Sequence, residues 1–489
     1  MTYRHYYMKR GVMFHPSIGF AAAVMSAPDP HQRYTPTSVS ELRDPAEIVV
    51  VIDDDPTGSQ SVRGVPLLTS WSPDDLRWAF DQGCPGVYVL TNSRSLTEND
   101  AVRVTADVVR AATRAAEVSG RRPVFVSRSD STLRGHFPAE TDVIIESARA
   151  DVSGVVLVPA FPAAGRLTLH GIHYVERAGE LIPVSATEFA RDATFGFESS
   201  YLPDYVHEKT SGATAADDVL VIDIGTVRAG VEAIAERLGS ARGAVPIVVD
   251  VLDEHDLIVI ALGFQQAESR GQRFVYRVGP AFVRARLGQD TPATVQPSDF
   301  AFTAETAAHG LVVVGSHTKL TTAQLAELHD RYAEAVVVEI PVEAVSDAAE
   351  ADRIERECIQ RVVEALPHAH VIVQTSRNLV RFHDPEASLA LSRRVSQVVV
   401  NIVAGVLAAL PPKFVVAKGG ITSHDVAARG LSISRAMIVG PMLPGLVSLL
   451  RPVGGPAEGI PYVVFPGNVG GEGDLLSVVC ALAGHAVAS

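Results

Sequence analysis

Ile48-Val-Val-Val-Ile52 is an unbroken run of β-branched apolar residues that stops abruptly at Asp53-Asp54-Asp55. A strand without polar alternation is stable where both of its faces are covered, as in the centre of a parallel sheet. Runs of the same character recur at 87–90, 123–126, 155–158, 219–222 and 246–249, with helical patterns between them, such as 99–118 and 231–238. Strands alternating with helices of that length imply βαβ units. A stretch rich in Pro, Thr and Ser interrupts the series at 288–300 and reads as a linker. A second series follows, with strands at 310–314, 335–339, 370–374, 413–417 and 462–465 and a long helix over 385–410. The expected fold class is α/β in two domains, each with a mainly parallel sheet flanked by helices. The expected boundaries are a disordered N-terminal extension over 1–45, a first domain over 46–289, a linker over 290–304 and a second domain over 305–489.

The charge balance narrows the partners. Against 42 Lys and Arg stand 56 Asp and Glu, a formal charge of −14. Such a chain is a poor binder of nucleic acid or of an anionic membrane surface. An anionic small molecule would need locally placed arginines or lysines. Cys84, Cys358 and Cys480 are far apart and lack metal-type spacing, which fits buried apolar roles and a reducing, cytoplasmic setting. The longest apolar run, Val395 to Leu410, is short for a membrane span and is broken by Gln397 and Asn401. Met8-Lys9-Arg10 before the apolar patch Ile18 to Met25 loosely imitates a signal peptide. His15, Pro16 and Ser17 shorten that stretch, and a disordered extension is the preferred reading.

Ligands of open parallel sheets sit beyond the carboxyl ends of the strands, so the loops leaving those ends carry the chemistry. Asp53, Asp54 and Asp55 repel one another unless a cation or a proton compensates. One aspartate could merely cap the next turn; three in succession favour function. Ser127-Arg-Ser-Asp-Ser-Thr-Leu-Arg-Gly135 combines hydroxyls with Arg128 and Arg134 near a helix start, a combination suited to a carboxylate or phosphate. A capped helix with Arg134 in a surface salt bridge is the plainer alternative. The shaped loop Pro159 to His173 offers Arg166, His170 and His173, without the third ligand that zinc would need. Asp192, in Thr187-Glu-Phe-Ala-Arg-Asp192, is a further polar candidate.

Three glycine loops follow strands in the second half: Val314-Gly-Ser-His-Thr318, Lys418-Gly-Gly-Ile-Thr-Ser423 and Pro466-Gly-Asn-Val-Gly-Gly-Glu-Gly-Asp474. Glycine lets the backbone approach phosphate oxygens and turn N–H groups toward them. The set points to a nucleotide, although the chain has neither a Gly-x4-Gly-Lys-Ser/Thr loop nor a well-placed dinucleotide fingerprint.

Asp54-Asp55-x-Thr57-Gly58, Asp130-Ser-Thr-Leu-Arg-Gly135, Pro159-Ala-Phe-Pro-x-x-Gly165-Arg166, Thr187-Glu-Phe-Ala-x-Asp192, Gly315-Ser316, Gly419-Gly420-x-Thr422 and Pro466-Gly467 occur in that order. The chain thereby resembles the four-carbon acid sugar kinase family from about Ile48 to its end. It departs from the usual family pattern at Asp53, Pro56, Arg128-Ser129 and Ile421. The resemblance implies a sugar-acid-binding first domain, an ATP-binding second domain and an active site in the cleft between them. On that reading Asp54, backed by Asp55, is the proton acceptor. Thr57, Gly58, Arg128, Asp130, Ser131, Thr132, Arg134, Gly165 and Arg166 would bind the acid, with Arg134 on its carboxylate. Gly315, Ser316, Gly419, Gly420, Thr422, Gly467, Asn468 and Gly470 would cradle ATP. Mg²⁺ would bridge the phosphates, mainly through water, with no protein metal site expected. A homodimer is one option for the assembly.

Two other readings stay open at this point. Asp53-x-Asp55-x-Thr57 after a strand also begins haloacid-dehalogenase-like, Mg²⁺-dependent phosphatases, where Asp53 would be the nucleophile and Lys418 a possible partner. Those enzymes want a late Gly-Asp-x-x-x-Asp, and four residues after Asp474 stands Val478. A non-catalytic protein that closes on a ligand as a signal is the third reading.

Overall fold

The structure, a computed structural model, describes residues 7–9, 12–14, 16–148, 151–299, 306–332, 334–377 and 385–484. Two compact units are present. One comprises Met1–Ser61 and Trp71–Thr291, the other Val62–Ser70 and Pro292–Ser489.

Among the described residues, the first unit is built on seven parallel strands. Their order is Leu220–Ile222, Val245–Val249, Gly154–Val158, Phe274–Val278, Arg122–Arg128, Glu47–Asp53 and Gly86–Leu90. Every residue of Glu47–Asp53 is buried, as its unalternating pattern demands. The helix Glu98–Val118 buries Ala101, Val108, Val109, Ala112 and Ala116, and Thr97 caps it by accepting from Asp100 N–H. Register decides what stands at the carboxyl edge: Asp53 lies beside Leu90 on one side and Arg128 on the other, and Val278 lies beside Arg128. A separate antiparallel sheet runs Ile18–Gly19, Glu180–Pro183, Ile172–Arg177, Arg166–Leu169.

The disordered extension expected over 1–45 is corrected for residues 16–45. They form helices Phe20–Ser26 and Pro36–Leu42, bury Ala23 and Val39, and tie down through Arg43 Nη2 to the Leu287 carbonyl at 2.8 Å. A few anchors suffice there, too few to show in the composition of the segment. The rest of that expectation lies outside the described residues, apart from the paired backbone of Tyr7–Lys9 and Val12–Phe14.

Among the described residues, the second unit has eight strands in the order Val65–Leu68, Arg435–Leu443, Val447–Pro452, Tyr462–Phe465, Val415–Lys418, Leu311–Val314, Val371–Thr375 and Val336–Ile340. The last five are parallel; the first three join antiparallel. Val65–Leu68 therefore comes from the stretch expected to lie wholly in the first domain. Part of the expected linker is packed as well: Val295 is buried and donates its N–H to the Pro441 carbonyl at 2.8 Å, while 300–304 lie outside the described residues.

The helix Pro385–Ala409 contains one segment, Leu391–Ala409, long and apolar enough to cross a membrane. In this fold it is a core helix of the second unit. Val398, Ile402, Val403 and Val406 are buried, and Asn401 Nδ2 donates to Glu355 Oε1 at 2.9 Å on the neighbouring helix Ala348–Ala365.

Candidate active site

At the carboxyl edge of the first sheet, carboxylates and guanidiniums interleave. Arg94 leaves the loop after Gly86–Leu90 and holds Asp54 through both oxygens, Nη2 to Oδ1 at 2.6 Å and Nε to Oδ2 at 3.0 Å. Its third donor, Nη1, reaches Asp55 Oδ2 at 3.1 Å. Arg128 Nη2 donates to Asp53 Oδ1 and, at 2.5 Å, to the Asp55 carbonyl. Asp53 is 1% exposed and Asp54 2%. Burial pushes the Asp54 carboxyl up to about 7, against the pull of Arg94. Thr57 donates both its N–H (2.8 Å) and its hydroxyl (2.5 Å) to Asp55 Oδ1, closing the turn. Gly58 is required by space: a Cβ there would lie 2.2 Å from Arg128 Nε.

The loop 128–135 is shaped by Leu133, which adopts φ 72°. That left-handed conformation costs a β-carbon-bearing residue about 1–2 kcal/mol. It is held because the Leu133 side chain is buried with Phe137 and Tyr205, and the Tyr205 hydroxyl donates to its carbonyl at 3.0 Å. Arg134 Nε donates to Asp130 Oδ2 at 2.6 Å, and its guanidinium lies 5.5 Å from the centre of the Phe189 ring. Thr132 also donates to Asp130. Burial alone would raise the Asp130 carboxyl, but Arg94 and Arg134 outweigh it and hold it far below the usual range. Ser131 is fixed from below: its carbonyl accepts from His173 Nε2 at 2.8 Å, while His173 Nδ1 pairs with the Thr168 hydroxyl at 3.0 Å. Burial pulls His173 down to about 4, so its ring is neutral, and both ring nitrogens are already engaged in holding this loop.

Other candidates from the sequence fall outside this cluster. Gly165, at φ 69°, makes the turn before Arg166–Leu169 and approaches Glu176. Arg166 is half-buried with its Nη1 on the Ala164 carbonyl, and Asp130 is among the charges acting on it. His170 offers its backbone N–H to Asp250 Oδ2 at 2.7 Å. Asp192 accepts from Thr194 and Phe195 N–H in a local turn.

Two arginines were missed. Arg94 lies in Thr91-Asn-Ser-Arg-Ser95, a polar loop at a strand's carboxyl end, which was itself the signal. Arg277 lies in the strand Phe274–Val278, buried, with Glu140 3.9 Å away and its guanidinium 5.2 Å from the centre of the Phe137 ring.

In the second unit the three glycine loops converge. A Cβ on Gly315 would lie 2.2 Å from Thr422 Oγ1, and one on Gly467 would lie 2.5 Å from Ser316 Oγ. Gly419 has φ 127° and lies against Thr422 and Ser316. The Gly467 carbonyl accepts from Thr318 Oγ1 at 2.6 Å and Thr321 Oγ1 at 2.9 Å. Gly420 opens the short helix Gly420–Asp425, Asn468 is exposed, and Gly470, at φ 85°, approaches Asp474. Lys418 Nζ is buried, donates to the Pro466 carbonyl at 2.7 Å and lies 3.8 Å from the centre of the Phe465 ring. Burial lowers it to about 7. A cavity of about 220 Å³ beside Gly315 is lined by His317, Thr375, Val395, Val399 and Thr422.

The two units match two family models: the sugar-binding N-terminal domain over residues 49–286 and the nucleotide-binding C-terminal domain over residues 311–475. The chain belongs to the four-carbon acid sugar kinase family. It is 29% identical over 321 residues to the D-erythronate kinase of Heliobacterium modesticaldum, a match covering 64% of this chain and 65% of that one. Against the D-threonate kinase of Bordetella bronchiseptica it is 32% identical over 169 residues, covering 35% and 36%. The match thus spans less than two thirds of either relative's length. In fold, it is similar to solved structures from Salmonella typhimurium LT2 (TM-score 0.65) and Haemophilus influenzae (0.58), each 19% identical, covering 88% of this chain and 98% of theirs.

Membership in a kinase family raises the question of Mg²⁺. The described carboxylates of the first unit's cluster do not fit a seat for it. Asp53, Asp54, Asp55 and Asp130 each already take an arginine, which a dication would have to displace. Asp253, His255 and Asp256 can bring ligand atoms within 4.8 Å, but Asp256 is occupied by Arg228 and by the N–H groups of Leu252 and Asp253.

Proposed function

We propose that the chain transfers the γ-phosphoryl group of ATP to a hydroxyl of a small sugar acid, a four-carbon tetronate or 2-oxo-tetronate. The observation that carries this is Asp54, a buried carboxylate raised toward neutrality and aligned by Arg94, within the sugar-binding domain. Phosphoryl transfer asks for positioning, charge neutralisation and a proton acceptor. Asp54 accepts the proton of the substrate hydroxyl. Arg134, whose Nη groups are not used by Asp130, takes the carboxylate, with Ser131 and Thr132 beside it. The loops around Gly315, Gly419 and Gly467 take the phosphates, and the cavity beside Gly315 has an apolar wall suited to a nucleotide base. Mg²⁺ enters only as the counter-ion of the nucleotide. A cytoplasmic setting suits such chemistry. Coupled ADP release across four- and five-carbon aldonic and 2-oxo acids tests the reading; no acid-dependent release from the full chain would overturn it.

A phosphatase with Asp53 as nucleophile has no use for a nucleotide-binding second domain, whereas a kinase requires one. The kinase reading therefore stands ahead of the phosphatase one.

Arg134→Ala is expected to weaken sugar-acid binding by about 2–4 kcal/mol, roughly 30- to 1,000-fold, the cost of truncating one partner of a charge pair. ATP affinity should be unchanged by calorimetry. Equal losses for both ligands would assign Arg134 to support of the fold.

Gly467→Ala forces a methyl against Ser316 and should weaken ATP binding at least about tenfold, with acid binding intact. The measurement needs the full chain. A fragment beginning after Phe300 would lack Val65–Leu68, the strand that pairs with Arg435–Leu443.

A further inference from the structure

We propose that the buried ammonium of Lys418 positions the Pro466–Gly467 peptide for the nucleotide phosphates and couples nucleotide binding to the uptake of a proton. This rests on the nucleotide reading of the second unit above and deepens it.

Lys418 ends the strand Val415–Lys418, and the three glycine loops are tied together around it. Its carbonyl accepts from Gly315 N–H at 3.2 Å, and the next residue, Gly419, donates its N–H to the Phe465 carbonyl at 2.9 Å. Its side chain makes the third tie: Nζ donates to the Pro466 carbonyl at 2.7 Å and lies 3.8 Å from the centre of the Phe465 ring. The Pro466–Gly467 peptide is trans, so its C=O and N–H point opposite ways. The ammonium therefore holds this peptide by its oxygen and leaves the Gly467 N–H facing away. A cation on the carbonyl polarises the whole peptide and makes that N–H a stronger donor. Gly467 N–H belongs to one of the loops assigned above to the phosphates.

The Lys418 side chain is fully buried. Burial lowers its ammonium to about 7, and Asp474, in the first turn of the helix Asp474–Ala483, is the charge that pulls the other way. Asp474 is itself engaged by Gly471 N–H at 2.7 Å. The other titratable groups around the loops are occupied. The Tyr462 hydroxyl donates to the Ser423 carbonyl, Arg377 Nη1 donates to the Ser316 carbonyl at 2.6 Å, and His317 Nε2 pairs with the Thr375 hydroxyl at 3.2 Å. A cation held out of water keeps its proton more firmly once a polyanion settles beside it. Below about pH 7 Lys418 is charged with or without nucleotide, and no proton moves. Above that pH the free protein has lost a proton that the complex retains, so binding takes one up and affinity falls as pH rises.

The test is calorimetric titration of ATP, with Mg²⁺ in excess, into the full-length chain at about pH 6 and about pH 8, in buffers of different ionisation heat. Lys418→Met keeps the length of the side chain and removes its charge. At about pH 8 the wild type should take up close to one proton per nucleotide more than Lys418→Met, and at about pH 6 no more than it. Comparing the two cancels the protons of the nucleotide and of His317. Lys418→Met should also bind ATP at least about tenfold more weakly at about pH 6, the effect of losing a charged donor, and the gap should narrow as pH rises. An affinity gap equal at both pH values, with equal proton uptake, would make Lys418 a tether alone and overturn the proposal. Should Lys418→Met lose the cooperative melt of the wild type, Lys418→Arg takes its place, because it stays charged throughout. Greater uptake by the wild type than by Lys418→Arg at about pH 8 then sustains the proposal, and equal uptake overturns it. A wild type that binds no ATP takes down the nucleotide reading and this proposal with it. A wild type that binds ATP without extra proton uptake removes only Lys418.

Discussion

Asp54→Asn is expected to lower turnover by about 10²–10⁴-fold, the usual worth of general-base catalysis, while the protein remains folded. The amide keeps the shape of the carboxyl group but offers Arg94 one acceptor in place of two, so the rate is to be read on protein whose urea midpoint shows it folded. Asp53→Asn separates the catalytic from the structural carboxylate. Asp53 answers the buried Arg128, so neutralising it should first reduce stability, read as a lowered urea midpoint, and reduce turnover less in the protein that remains folded. The wild type should also show kcat/KM rising with pH through an apparent pKa near 7. Burial raises Asp54 to that value, and a base works only after losing its own proton. A profile flat from about pH 5 to 8, or an Asp53→Asn variant that is folded yet slower than Asp54→Asn, would reassign the base.

Arg286→Ala is expected to cost about 3–5 kcal/mol of stability, as removing one partner of a buried ion network does. Arg286 is fully buried on the helix Pro280–Arg286 and bridges Glu47, at the start of the central strand, to Glu268 on Glu254–Ser269. The Tyr276 hydroxyl donates to Glu268 at 2.7 Å and completes the set. Without the guanidinium, two carboxylates are left in a dry interior. Equilibrium urea unfolding of the full chain, following the transition of the first unit, measures the loss. Replacing all three by Arg286→Met, Glu47→Gln and Glu268→Gln should recover most of it, because uncharged groups need no counter-ion. A single Arg286→Ala variant as stable as wild type would mean that water reaches the network.

Some of this was legible before any fold was known. The run Ile48 to Ile52 can be stable only as a strand covered on both faces, and a parallel sheet presents its ligands at the end where Asp53, Asp54 and Asp55 stand. Glycine spacing after Val314, Lys418 and Phe465 likewise pointed to three close-approach loops, because local backbone freedom is a property of the residue itself. The pairing of charges was not legible. Arg94, Arg128 and Arg277 come from three strand ends, and the lateral register of the sheet determines which carboxylate each one meets. The same holds for Val65–Leu68, which pairs with a strand about 370 residues later because an edge needed a partner, not because of anything in its four residues. Periodicity and loop chemistry are written in neighbouring residues, so the sequence by itself determined the α/β class and marked the strand-end loops to which the site is assigned in the proposal above. Lateral neighbours in a parallel sheet are set by crossovers and burial over the whole chain. Only the tertiary structure could therefore decide that Asp53 belongs to Arg128 and Asp54 to Arg94.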